Sequence, residues 1–178
     1  QTLGIIGFGN IGQAVARKAQ AFGLEILAYD PYLNQAEPRF DNVKFITLDT
    51  LLTNADYVTL HVPMTEKTSQ MIGKPQLNLM KPSSFLINTA RGKLVNEDAL
   101  VSALKGGGIA GAALDVFETE PPSKNNPLLK MGNVILSPHF AFYSDYAFEQ
   151  VRRRVAEEAA SVLTRRIPRF LINRDVIP

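Results

Sequence analysis

Three side chains in this sequence have the types that proton transfer to a carbonyl oxygen needs: Arg91, Glu120 and His139. A histidine exchanges a proton near neutral pH. A carboxylate beside it orients the ring and favours the charged imidazolium. An arginine pairs bidentately with a carboxylate and polarises a neighbouring carbonyl. Such a set suits a reaction in which a hydride reaches a carbonyl carbon and the developing alkoxide takes up a proton. Each residue also has a plainer role open to it. Arg91 could cap its loop or pair with Asp115, Glu120 could be a solvated residue before Pro121, and His139 after Pro138 could be a structural histidine. His61, near Pro63, has the same local look and is expected to give backbone contacts or packing instead.

The three residues share one kind of place. Short apolar stretches at 3–6, 24–30, 43–46, 56–60, 84–88, 109–114 and 134–136 read as strands. They alternate with helical stretches that begin near Asn10, Leu48, Gln76, Asn96 and Ser144, the last running to about Thr164. Loops lie between them, one holding Pro31, Asn34 and Pro38, others covering 65–75 and 118–130. Strands apolar on both faces, alternating with helices, predict an α/β fold. Its core would be a doubly wound parallel sheet covered on both sides. Ligands of such sheets lie outside the carboxyl ends of the strands. Arg91 follows one strand, Glu120 the next and His139 the last, so all three are expected in one crevice.

The first strand leads into Gly7-Phe8-Gly9-Asn10-Ile11-Gly12, a helix, and a second strand ending at Asp30. Gly7 permits a sharp turn, Gly9 lets a pyrophosphate approach the backbone, and Gly12 lets the helix pack closely on the strand. The helix N-terminus turns its free N–H groups and positive dipole end toward the phosphates. Asp30 stands 18 residues after Gly12, near the spacing of about 20 at which an acid binds both hydroxyls of an adenosine ribose. Its charge repels a 2′-phosphate, and Pro31-Tyr32 rather than an arginine follows it. The expected cofactor is therefore NAD, in a Rossmann-type fold.

Composition excludes several alternatives. The 178 residues carry 19 basic and 17 acidic side chains, too balanced to argue for nucleic acid or a membrane surface. The cluster Arg152-Arg153-Arg154, with Arg165 and Arg166, shares its helix with Glu149, Glu157 and Glu158 and reads as a solvated face. With no cysteine there is no disulfide, thiolate metal site or cysteine nucleophile, and no metal is expected. No apolar run approaches the ~18 residues of a membrane span. The start at Gln1, immediately before a strand, is not a signal peptide and suggests that further chain precedes it.

From Leu3 to about Val162 the sequence resembles the nucleotide-binding domain of the D-isomer-specific 2-hydroxyacid dehydrogenases. The motifs are GIIGFGNIGQAVA, YVTLHVPMTEKTSQMI, FLINTARGKLVNEDALVSAL, GAALDVFETEPP and VILSPH, in the family's order. The resemblance implies that Arg91 binds substrate carboxylate and carbonyl, that His139 is the acid/base, and that Glu120 supports it. It further implies that Asp115 lies near the nicotinamide carboxamide, and that Asn10-Ile11, Val62-Pro63, Thr68 and Thr89-Ala90 contact NAD. Many members follow the histidine with Gly-Gly and Ser or Thr. Here Phe140-Ala141-Phe142-Tyr143-Ser144 stands there, as in an aromatic subset of the family.

The implied activity is NAD-dependent interconversion of 2-keto acids and D-2-hydroxy acids, phosphoglycerate dehydrogenase-like enzymes included. The alternative within the same fold is an NAD(H)-sensing or corepressor-type protein. A formate-oxidising relative would carry Gln where Glu120 stands. The resemblance also implies a domain at 1–166, with 167–178 as the start of a return toward a substrate domain built from sequence outside this chain. Slow or absent turnover by the isolated chain, homodimers formed through this domain, and a cytoplasmic location follow as expectations.

Overall fold

The computed structural model describes residues 1–33 and 42–173. The expected loop positions Asn34 and Pro38, and the end of the tail, lie outside them. Seven parallel strands form one sheet: β1 (Thr2–Ile6), β2 (Glu25–Tyr29), β3 (Val43–Phe45), β4 (Tyr57–Leu60), β5 (Phe85–Asn88), β6 (Gly111–Leu114) and β7 (Val134–Leu136). Their order is β3-β2-β1-β4-β5-β6-β7, so the winding reverses beside β1. All seven expected strands are present. The helices are α1 (Asn10–Ala21), α2 (Leu48–Asn54), α3 (Lys74–Leu79), α4 (Glu97–Lys105) and α5 (Asp145–Leu163). The third starts two residues earlier than its sequence pattern suggested, because Pro75 is preorganised for a first helical turn.

Successive side chains of each strand pack into different layers. Leu3, Ile5, Ile26 and Ala28 join Phe8 and Ala16 of the α1 side. Ile6, Leu27, Val58, Leu60 and Leu86 join Leu51, Leu52, Leu77, Leu100 and Leu104 from α2, α3 and α4. The expectation of cover on both faces holds only in part. On the α1 face the outer strands carry Phe85 and Ile135, which are 40% and 74% exposed. Here α1 packs mainly against β1 and β2.

The strand ends are flush. Tyr29, Ile6, Leu60, Asn88, Leu114 and Leu136 are partnered in one continuous register across six strands. The residues that follow them, Asp30, Gly7, His61, Thr89, Asp115 and Ser137, therefore leave the sheet along one rim.

The described residues fall into two units, one ending at His139 and one beginning at Phe140. The second contains α5, capped by Ser144, whose hydroxyl oxygen accepts from the Ala147 N–H. No α5 residue is buried, and Val151, Val155 and Val162 are exposed. No helix among the described residues is long and apolar enough to cross a membrane.

Candidate active site

The glycine turn is built by contact as much as by conformation. Gly7 has φ +90°, and a Cβ there would lie 2.7 Å from the His61 carbonyl. A Cβ on Gly12 would lie 2.2 Å from the Gly7 carbonyl oxygen. The protein's own packing thus demands glycine at both positions. Gly9, the residue before α1, is different: a Cβ there meets nothing within 4 Å. Asn10 opens the helix, and Ile11 beside it is 64% exposed. Asp30 braces the turn, since one carboxylate oxygen accepts from the Phe8 N–H at 2.9 Å and the other from the Tyr32 N–H at 2.9 Å. A carboxylate has about four acceptor sites, so capacity for two ribose hydroxyls remains.

The turn carrying Arg91 is set by Asn88, the last residue of β5 and 1% exposed. Its side-chain oxygen accepts from the Ala90 N–H, and its amide donates to the Arg91 carbonyl. Gly92 then lets this turn touch the next loop, because a Cβ there would fall 1.9 Å from the Phe117 carbonyl. Arg91 itself is exposed and donates from Nη1 to the Ala90 carbonyl.

Glu120 and His139 form a pair. Nδ1 of His139 lies 2.7 Å from Oε2 of Glu120, and Oε1 of Glu120 accepts from the Phe117 N–H at 3.0 Å. The bond to His139, and then the bond from Phe117, hold the Glu120 carboxyl below its ordinary value of 4.5. It is ionised at neutral pH and can only accept, so Nδ1 carries a proton and donates. In the neutral ring Nε2 is then the basic nitrogen. The His139 backbone has φ +58°, and its N–H donates to the carbonyl of Asp115. Asp115 is 3% exposed and accepts from the Ser137 hydroxyl at 2.6 Å.

Two cavities connect these groups. One, about 410 Å³, is lined by Ile11, His61, Val62, Pro63, Thr89 and Ala90, together with Met64 and Arg91. Its neighbour, about 230 Å³, is lined by Met64 and Arg91 again, with Phe117, Glu120 and His139 among the rest. Sharing Met64 and Arg91, they adjoin each other between Ile11 and His139. A third cavity of about 380 Å³ lies behind the pair, with Pro121, Pro122, Leu129 and Leu136 in its wall. Thr68 turns its hydroxyl onto the Pro63 carbonyl and so braces the loop. His61 has Nε2 3.1 Å from the Thr59 hydroxyl, and burial pushes its imidazole below 6.5. Met64 and the side chain of Asn88 are functional positions that the sequence pattern does not mark, whereas Gly92 lies in the stretch 89–92 expected at the crevice.

The profile of the D-isomer specific 2-hydroxyacid dehydrogenase NAD binding domain matches residues 1–141. The chain belongs to this family. A glyoxylate reductase of Korarchaeum cryptofilum is 46% identical over 99% of this chain and 53% of its own length. A D-3-phosphoglycerate dehydrogenase of Methanocaldococcus jannaschii is 44% identical over the whole chain and 34% of its own length. The NAD-complexed D-isomer specific 2-hydroxyacid dehydrogenase of Lactobacillus delbrueckii ssp. bulgaricus superposes with a TM-score of 0.87 at 36% identity. That match covers 97% of this chain and 56% of the solved one. The chain thus spans about half the length of the glyoxylate reductase and of the solved dehydrogenase. Its cofactor is NAD, and the turn of this dehydrogenase-family domain fits it. Gly12 is glycine because the protein leaves no room, whereas Gly9 is glycine beside open space, which leaves its backbone open to close approach by a ligand.

Proposed function

We propose that this chain is the NAD-binding half of an oxidoreductase that interconverts 2-keto acids and D-2-hydroxy acids. The observation that carries the reading is the Glu120–His139 pair lining the same cleft as Arg91, adjoining the crevice beside the glycine turn. NAD, when bound, supplies or accepts the hydride. In the reducing direction the Arg91 guanidinium holds the substrate carboxylate and draws charge from the carbonyl oxygen. His139 gives the proton on Nε2 to that oxygen. Glu120 keeps Nδ1–H donated to itself, fixes the ring and stabilises the imidazolium before transfer. In the oxidising direction Nε2 takes the proton back.

In this reading the backbone around Asn10-Ile11, Val62-Pro63 and Thr89-Ala90 holds the dinucleotide, with Thr68 supporting its loop. Asp30 holds the adenosine ribose, and Asp115 faces the carboxamide. Residues 1–166 form the nucleotide-binding domain, and 167–178 begin the return to a substrate domain. Pairing of two copies through this domain and a cytoplasmic location complete the proposal. Sedimentation and cell fractionation test those two points.

The activity is tested by loss of NADH absorbance with pyruvate, hydroxypyruvate, glyoxylate and branched 2-keto acids, using the protein that carries both halves. Reduction of at least one is expected. Tight NADH binding with none reduced would replace this reading with an NAD(H)-sensing, corepressor-type role.

A further inference from the structure

The loops that carry Arg91 and Glu120 come from different strands, and two glutamates join them. Glu97, the first residue of α4, accepts with Oε1 from the Glu118 N–H at 2.5 Å. Glu118 accepts with its own Oε1 from the Glu97 N–H at 3.0 Å. The remaining Glu97 oxygen accepts from the Asn126 amide at 2.9 Å. The Glu97 N–H is one of the donors a helix start leaves without an intrahelical partner. A carboxylate near that start is favoured by the helix dipole. Each glutamate therefore satisfies the other's main chain across 21 residues. The arrangement resembles a capping box in which the second acid comes from a distant loop.

The clamp has a direction. Upstream of α4, the turn from Arg91 reaches Glu97 through Gly92, which lies against the Phe117 carbonyl and Glu118 N. Downstream of Glu118, Glu120 reaches back to the Phe117 N–H and out to His139. Fixing Glu118 to Glu97 thus fixes the segment bearing the acid/base pair to the segment bearing the guanidinium. We infer that Glu97 is a positioning residue: through the Glu118 main chain it sets the separation between Arg91 and the Glu120–His139 pair. It touches neither substrate nor cofactor. The inference deepens the proposed function and rests on it.

The test uses Glu97→Ala, Glu97→Gln and, as a control, Asp98→Ala. Asp98 shares the first turn of α4 but is exposed and takes no part in the clamp. In the protein carrying both halves, Glu97→Ala is expected to lower kcat/KM for a 2-keto acid roughly 10- to 100-fold, the range a small misplacement of reacting groups produces. The Kd for NADH stays within twofold, because the glycine turn and Asp30 lie on other elements. Glu97→Gln, which keeps one acceptor oxygen for the Glu118 N–H but turns an NH2 toward the Asn126 amide, recovers part of the loss, and Asp98→Ala causes none. An unchanged kcat/KM in Glu97→Ala would overturn the inference. So would a Kd for NADH that weakens in step with turnover.

If the unsubstituted protein reduces no 2-keto acid, the proposed function fails, and the clamp is decided in the 178-residue chain alone. There Glu97→Ala must speed hydrogen exchange of the Glu118 amide and raise the Glu120 carboxyl toward its ordinary 4.5. If neither moves, the clamp is refuted.

Discussion

Asp56 and Glu120 are two carboxylates of one design at opposite rims of the same sheet. Each uses one oxygen to accept a main-chain N–H, from Thr2 for Asp56 and from Phe117 for Glu120. Each offers the other oxygen to a basic side chain at 2.7 Å, Lys81 for Asp56 and His139 for Glu120. Both are held below their ordinary values, first by the basic partner and then by the main-chain donor. The difference lies in the partner and the rim. Lysine as a residue type is charged at neutral pH, so Asp56–Lys81 is a fixed strut that ties the start of β4 to the segment before β5, while the bond from the Thr2 N–H ties Asp56 to β1. Histidine changes charge near neutrality, and its rim is where the strands end on a crevice. The same geometry becomes able to hand over a proton once the partner titrates and a cavity adjoins it.

The sharpest break in the comparison is His139→Ala. In the protein with both halves it should lower kcat roughly 10²- to 10⁴-fold, the usual worth of a general acid/base, with the Kd for NADH within twofold. Steady-state kinetics and fluorescence titration check this. Next in size is Asp30→Ala. A carboxylate accepting two ribose hydroxyls is worth enough that NADH affinity should fall roughly 10- to 100-fold, while kcat at saturating NADH changes little.

Smaller again is the exchange between the two rims. Asp56→Asn should lower stability by about 1 kcal/mol, discounted because the Asp56 side chain is 29% exposed. Its kcat/KM should stay within twofold, whereas Glu120→Gln should lose kcat as well as a comparable amount of stability. If Asp56→Asn damaged turnover as much as Glu120→Gln, the division into strut and proton-handling pair would be wrong.

The smallest effect is the shared acid response. Both folded carboxyls lie below 3.8 and 4.5, so the unfolded chain takes up their protons first as pH falls. Their contribution is complete above those ordinary values and is lost as pH falls through the lower folded ones. Half-buried His61 adds a loss that begins higher, as pH falls below 6.5. Thermal midpoints against pH should therefore decline on the acid side, and each of Asp56→Asn and Glu120→Gln should flatten part of that decline.

The sequence was legible where one contiguous stretch carries the physics. Gly7 and Gly12 lie in a single strand-turn-helix-strand passage, and each does locally what its residue type suggests. The seven strands were legible from short apolar runs, and the crevice from the rule that loops leave a parallel sheet along one rim. The Glu120–His139 bond was foreseeable as chemistry, but its geometry depends on the flush register of β6 and β7. The clamp was not legible. Glu97 reads as an ordinary acid in the first turn of a helix, and Glu118 as a solvated loop residue. Asn88 reads as the end of a strand, although its amide builds the Arg91 turn. The exposure of Phe85 and Ile135 also escaped, because an apolar strand residue does not declare how deeply it is buried.

The backbone of His139 adopts the left-handed conformation, φ +58°. For a side chain bearing a Cβ this costs about 1 kcal/mol, and glycine there would cost almost nothing. The backbone term alone therefore favours glycine at 139, opposed by the bond that the imidazole makes to Glu120. Under the proposed function, the proton transfer assigned to His139 is what would weigh against that pull.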